Sequence, residues 1–307
     1  MRNPLSNLSD TDIRLLKVFI MVANCGGLTA AELELNIGRS TISRHLKDLE
    51  IRLGLVLCQR GRAGFALTCE GQQVYDHTKA LLHSLDNFRN EINEIHKNLQ
   101  GKIVIAMFDK TVTNKACKVP QAIAAYLDKA PEVEIEIQVV PVNKIEQGIL
   151  DGRYNLGIAP YHRASSSLRY TSLFKEHMSL YCGENSPLFH GAQSASEEQI
   201  KAQDCAALSF HSPNMDHSIQ TGLRRKALAD DQEGILTLIL SGKFIGFVPD
   251  HYATDFIKAG RLRKIENKHF GYVCEFAAIS KKSPLPPRLS SLFLHELKRI
   301  HLNSEPA

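Results

Sequence analysis

The stretch Gly27 to Glu50, GLTAAELELNIGRSTISRHLKDLE, decides how the rest of the chain reads. Its pattern fits two short helices joined by a tight turn. Thr29 is suited to cap the first helix, and Glu32, three residues on, could close a capping box. Leu28 and Leu33 stand where a hydrophobic staple would form. Asn36-Ile37-Gly38 supplies the turn, because Asn and Gly tolerate left-handed backbone angles and Ile37 can plug the space between the helices. The second helix has two faces. Ile42, Leu46, Leu49 and Leu53 follow steps of 4, 3 and 4 and form one apolar stripe. Ser40, Ser43, Arg44 and Lys47 lie opposite it, and Arg39 and Thr41 add a cation and a hydroxyl at the helix start. Such a face suits DNA: Arg can hold guanine with two bonds, hydroxyls reach bases or phosphates, and Lys neutralises phosphate. A plain helical hairpin with a solvated polar face fits the same residues.

The next segment favours DNA. Leu53 to Gly71, LGLVLCQRGRAGFALTCEG, sets Arg60 and Arg62 in a Gly-punctuated turn. Leu55-Val56-Leu57 and Phe65-Ala66-Leu67 flank that turn as the strands of a small hairpin, a wing whose basic tip could lie along phosphates. From Arg39 to Arg62 there are six cations against Asp48 and Glu50 alone.

Residues 11 to 71 resemble the winged helix-turn-helix of LysR-type transcriptional regulators. The resemblance rests on Phe19, Val22-Ala23, Gly27-Leu28-Thr29, Ala31, Leu35, Ser43-Arg44, Leu49-Glu50, Leu53-Gly54, Leu57, Arg60, Leu67-Thr68 and Gly71. Glu32 stands where the family carries a second Ala, Gly38 where it carries Ser, and Cys58 where it carries Phe. The resemblance implies residues 1–71 as the DNA-binding domain, 72–100 as a linker helix for dimerisation, and 101–307 as an effector-binding domain. It further implies that this last part is two α/β subdomains of periplasmic-binding-protein type, about 101–162 with 269–307 and about 163–268, enclosing a cleft for a small effector.

Working outward, Ser9 and Asp10 can cap a first helix carrying Leu15, Leu16, Phe19, Val22 and Ala23. Thr68 can cap a long helix running to Gln100. Val74, Thr78, Leu81, Leu85, Phe88, Ile92, Ile95 and Leu99 alternate steps of 4 and 3, the period of a coiled-coil seam, along about 40 Å. Pairing two chains along this seam would present two recognition helices to two half-sites. Gly101 marks the next boundary.

Beyond it, strands alternate with helices. Ile103 to Phe108, Val133 to Val139 and Leu156 to Ala159 read as strands, with helices near Asn114 to Leu127 (kinked or restarted at Pro120) and Lys144 to Asp151. Met178 to Cys182, Ala207 to Phe210, Phe244 to Val248 and Phe270 to Ile279 read as further strands, with helices at Ile235 to Leu240 and Leu289 to Ile300. This order implies a parallel sheet with helices on its faces. In such a sheet, ligands sit beyond the carboxyl ends of the strands. Thr111 and Thr113 would offer hydroxyls near a helix N-terminus, which favours an anion, unless they merely cap the helix. His162, Ser209 and His211 could add donors. The expected effector is therefore a small anionic metabolite.

Composition sets limits. The 43% hydrophobic and 23% charged content is that of a globular protein, and the net charge of +4 is too small to argue DNA binding alone. Seven cysteines show no CxxC, and Cys182 and Cys205, 23 residues apart, do not match the peroxide-sensing pair of some such regulators. His211 and His217 belong to no HExxH or similar run, so no metal or other cofactor is expected. No nucleophile elbow, Walker loop or dinucleotide fingerprint supports the rival reading of an enzyme. A polar N-terminus without an apolar segment speaks against the other rival, an exported solute binder, and for the cytoplasm. The expected partners are double-stranded DNA, a small effector, a second copy of the chain as dimer or tetramer, and RNA polymerase; no membrane is expected.

Overall fold

A computed structural model describes residues 7–61, 64–95, 99–161, 164–283 and 285–302, with backbone alone at residues 60, 61, 64, 90, 91 and 93–95. The chain divides into two compact units, Met1–Leu85 and Asp86–Ala307.

The first unit contains α1 (Asp10–Asn24), α2 (Leu28–Leu35), α3 (Arg39–Leu53), β1 (Cys58–Gly61), β2 (Gly64–Leu67) and the start of α4 (Cys69–Ile95). Ser9 caps α1 in a capping box with Asp12. Leu15, Leu16, Phe19 and Val22 then meet Ala31, Ile42, Leu46, Leu49 and Leu57 in a single core. Each such large apolar side chain, fully buried, stabilises by about 1.5–3 kcal/mol.

The capping box expected at Thr29 does not form. Helix α2 begins two residues earlier, Gly27 is its N-cap without a side-chain bond, and Leu33 lies 88% exposed, so the staple is absent too. Glu32 turns the other way, and its carboxylate accepts the backbone N–H of Arg39 at the start of α3. Gly38 precedes that helix and has no side chain to do so. Asn36 alone takes the left-handed angle of the turn, at φ 51°.

The first wing strand begins at Cys58 rather than Leu55. The Glu50 carboxylate takes the N–H groups of Leu57 (2.9 Å) and Cys58 (3.3 Å) and so holds this approach from the side of α3. Thr68 caps α4 as expected, accepting the Gly71 N–H at 2.8 Å while donating to the Val56 carbonyl at 2.6 Å. A side chain on Gly71 would strike the Leu57 carbonyl, so glycine is required there.

The second unit is one mixed sheet with helices on its faces. Its elements run β3 (Gly101–Met107), α5 (Val119–Lys129), β4 (Val133–Val139), α6 (Val142–Leu150), β5 (Leu156–Tyr161) and β6 (Leu168–Gly183). There follow α7 (Glu197–Lys201), β7 (Asp204–Leu208), α8 (Pro213–Gln220), β8 (Arg224–Ala229), α9 (Gln232–Leu240), β9 (Ile245–Pro249), α10 (Asp250–Lys258), β10 (Leu262–Lys264), β11 (Gly271–Lys281) and α11 (Arg288–Leu302). The strand order is β4-β3-β5-β11-β6-β9-β7-β8, with β10 also paired to β6.

The parallel sheet expected from the sequence holds within each half. Strands β4, β3 and β5 are parallel, as are β9, β7 and β8, but β6 and β11 run antiparallel between the halves. These two strands are the crossover. The β6 segment 168–174 pairs with β11 residues 276–281, whereas 178–183 also pairs with β9 and β10. A register shift between Phe276 and Ala277 marks the change on β11. The crossover therefore lies inside two strands, several residues beyond the boundaries near 162 and 268 implied by the resemblance.

Other corrections are local. The segment after β3 is not a helix entry: Thr111–Thr113 is a single 3-10 turn, and α5 starts at Val119 with Pro120 in its first turn, where proline needs no N–H partner. Strand β4 is an edge strand, so Ile137 and Val139 are exposed instead of facing a core.

Candidate functional site

On α3 the apolar stripe faces the core and the polar face lies opposite it. Ile42, Leu46 and Leu49 are buried, while Arg39, Ser40, Arg44 and Lys47 are exposed and Thr41 and Ser43 half-buried. None of Arg39, Arg44 and Lys47 has an ion pair among the described residues. Their charge is left for an external partner. The Arg60 side chain and Arg62 lie outside the described residues.

Helix α3 is held from behind. Asp12 is fully buried; Ser9 donates to Oδ2 from its N–H (2.9 Å) and its hydroxyl (2.6 Å). Arg52, on the last turn of α3, adds Nη2 to Oδ2 at 2.8 Å and Nε to Oδ1. The bonds from Ser9, reinforced by Arg52, hold the Asp12 carboxyl at about 2, below its ordinary value.

In the second unit, the end of β3 meets the N-termini of α9 and α10 across the seam between the halves. Asp109 Oδ2 accepts the Gln232 N–H at 2.8 Å, and Lys110 forms an ion pair with Glu233. Thr113 Oγ1 lies 2.7 Å from His251 Nδ1, and His251 Nε2 lies 2.7 Å from Glu176 Oε1 on the crossover strand β6. Phe108 packs edge-on against Phe210, their centroids 6.3 Å apart. Lys110 takes a left-handed backbone, φ 56°, which a non-glycine residue adopts at a cost.

The seam is unsatisfied in two places. Asp109 Oδ1 and Gln232 Oε1 are buried with no partner among the described residues. Burial pushes the Asp109 carboxyl up to about 6, helped by the nearby Asp231 and Glu176, while its bond from the Gln232 N–H opposes the shift. Burial likewise raises Glu176, and His251 only partly offsets it.

Two family descriptions cover the chain: residues 13–72 match "Bacterial regulatory helix-turn-helix protein, lysR family", and residues 96–300 match "LysR substrate binding domain". The chain belongs to the LysR family of transcriptional regulators. Among its relatives, the HTH-type transcriptional activator BauR of Pseudomonas aeruginosa is 40% identical over 295 residues, 95% of this chain and 97% of that protein. The HTH-type transcriptional regulator GltR of Bacillus subtilis is 24% identical over 291 residues, 92% of this chain and 95% of that one. Full-length CbnR bound to its target DNA has the same fold, with a TM-score of 0.65 at 18% identity, covering 94% of this chain and 98% of that chain.

As a LysR-type regulator, the chain carries a DNA-binding helix-turn-helix and an effector-binding domain. Thr113 reaches the seam and Thr111 is buried behind it. Ser209 and His211 follow β7, beside the Phe108–Phe210 contact, but each is engaged by an acid: Ser209 with Asp230, His211 with Asp216 at 3.1 Å. His162 lies outside the described residues. Sequence reasoning places the segment Lys110 to Asn114 at the cleft but does not single out Asp109, Glu176, Gln232 or His251. Their one legible signal was the Asp-Lys pair following an apolar strand. Cys182 and Cys205 are buried, with thiols pushed up to about 11 and about 12, so neither is a ready thiolate.

The long seam of α4 divides. Val74 and Leu81 pack on the winged-helix core of their own chain, with Thr78 buried between them, and Leu99 packs on the core of the second unit. Val74, Leu81 and Leu99 remain half-buried against these cores. Leu85 is half-buried, while Phe88 and Ile92 are 60% and 40% exposed; the Ile95 side chain lies outside the described residues. Among the described residues, no helix is long and apolar enough to cross a membrane.

Proposed function

We propose that this regulator acts in the cytoplasm as a homodimer or tetramer, gripping DNA through α3 and the wing, and that a small polar metabolite entering the seam changes that grip. It works by binding and not by catalysis, and RNA polymerase is its partner at the promoter. The observation that carries this reading is the set of polar contacts joining the end of β3 to α9 and α10, with Asp109 Oδ1 left without a donor. A ligand with an N–H or O–H donor would meet that oxygen. An anionic group on the same ligand would compete with Glu233 for Lys110, a position that agrees with the anionic effector expected from the sequence. Both interactions change the contacts that hold the two halves together, which is how binding would shift the balance between arrangements.

The test is a thermal-shift screen of small metabolites on the full chain. A compound binding only the folded state stabilises it by about 2.7 kcal/mol at a hundred times its Kd. A hit should also alter affinity for promoter DNA, and its effect should fall in Asp109→Ala and Lys110→Ala. Undiminished binding in both variants would put the ligand elsewhere.

A further inference from the structure

Helices α1 and α3 enclose a groove of about 440 Å³ beside the recognition face, lined by Thr11, Arg14, Arg44, His45, Asp48 and Arg52 among others. Arg52 is neutralised by Asp12. Arg14 and Arg44 are exposed, come from different helices, and have no ion pair among the described residues. Asp48 is the single acid in the lining, and it forms no ion pair with either. His45 adds a buried Nδ1 without a partner. Two uncompensated guanidinium groups beside one groove is an arrangement that an external anion stabilises.

The position says which anion. A helix about 10–12 Å across fills a major groove about 12 Å wide. Whatever packs on the flank of a recognition helix is thereby brought to the lip of the groove, where the phosphates run. Helix α1 is packed on α3, and its first turns are anchored there by the Asp12–Arg52 tie. Arg14 and Thr11 are exposed on α1 and line this flank of α3 together with Arg44.

We propose that the α1–α3 groove seats a DNA phosphate, held by Arg14 with Arg44 at its edge, and that Arg14 is a positioning residue which fixes the register of α3 without reading sequence. It extends the DNA contact beyond α3 and the wing to α1. Backbone contacts of this kind set orientation and add salt-dependent affinity to every sequence equally.

The experiment measures binding of the full chain to its best site, selected from genomic fragments, and to a random duplex, over a range of salt. Arg14→Ala should weaken both by a similar factor and lower the slope of log affinity against log salt by about 0.9, the value for one phosphate. Between 50 and 200 mM salt that slope change alone is worth roughly 3.5-fold. Arg14→Lys should keep the slope, since an ammonium still neutralises phosphate. If Arg14→Ala folds poorly, Arg14→Gln carries the same test. An unchanged slope overturns the proposal, as does a loss confined to the selected site, or equal loss in the Lys and Ala variants with a lowered melting temperature.

Discussion

Asp109 accepts the backbone N–H of Gln232 at 2.8 Å, so a side chain from the end of β3 serves the first turn of α9 across the seam. The acceptor role suits the N-terminus of a helix, but the second oxygen of the same carboxylate has no donor. With its carboxyl near 6, the folded chain holds a proton on Asp109 that the unfolded chain releases near 4. Stability from this group is therefore greatest below about pH 4 and falls as pH rises through about 6. Asp109→Asn should remove that dependence and raise stability above pH 7 by about 1–2 kcal/mol, allowing for partial exposure. Urea midpoints of the two proteins from pH 4.5 to 8 check this, and parallel curves would contradict it.

The opposite sign holds for Asp12. Its carboxyl is lowered to about 2, so its contribution is fully present above about pH 4 and is lost as pH falls through about 2. Asp12→Asn should destabilise the winged helix at neutral pH and flatten its acid limb. Amide exchange in α1 and α3, followed from pH 5 downward, gives the comparison. Equal protection in variant and parent would show that the tie to Arg52 is incidental.

Glu32 makes a local prediction. Its carboxylate supplies the cap that Gly38 lacks at the start of α3. Glu32→Ala should cost about 0.5–2 kcal/mol, the range for loss of a capping side chain, and weaken DNA binding by fraying the turn that carries Arg39 and Ser40. Glu32→Gln should recover most of it. A variant with Ala and undiminished stability would mean that the N–H of Arg39 finds another acceptor.

The outer half of α4 predicts assembly. Phe88 and Ile92 present apolar surface from one face of the helix. Phe88→Asp with Ile92→Asp should give monomers in sedimentation, because each would place an unpaired charge in an apolar seam. Unchanged oligomeric mass would move the dimer contact elsewhere.

The recognition helix is legible because its signals are local: an apolar stripe and the Asn36-Ile37-Gly38 turn act within a few residues. The same locality misleads at the cap of α2. Glu32 lies at capping-box spacing from Thr29, yet its actual partner is seven residues on, at the start of the next helix. In the second unit the strands with continuous apolar runs were visible. The full length of β6 was not, because it changes partners midway and its burial follows no single period. The seam residues were least visible of all. Asp109 and Gln232 are 123 positions apart, and no local pattern announces a hydrogen bond made by tertiary folding.

The proposed effector enters the seam between the end of β3 and the starts of α9 and α10. Hydrogen exchange on the full chain, with and without the first ligand found by thermal shift, tests it most directly. Exchange should slow at Lys110 to Asn114 and at Gln232 to Gly234 when the ligand is bound. Protection confined instead to the separate cavity of about 540 Å³ lined by His177, Ser179, Asp250, Lys264 and Tyr272 would contradict it.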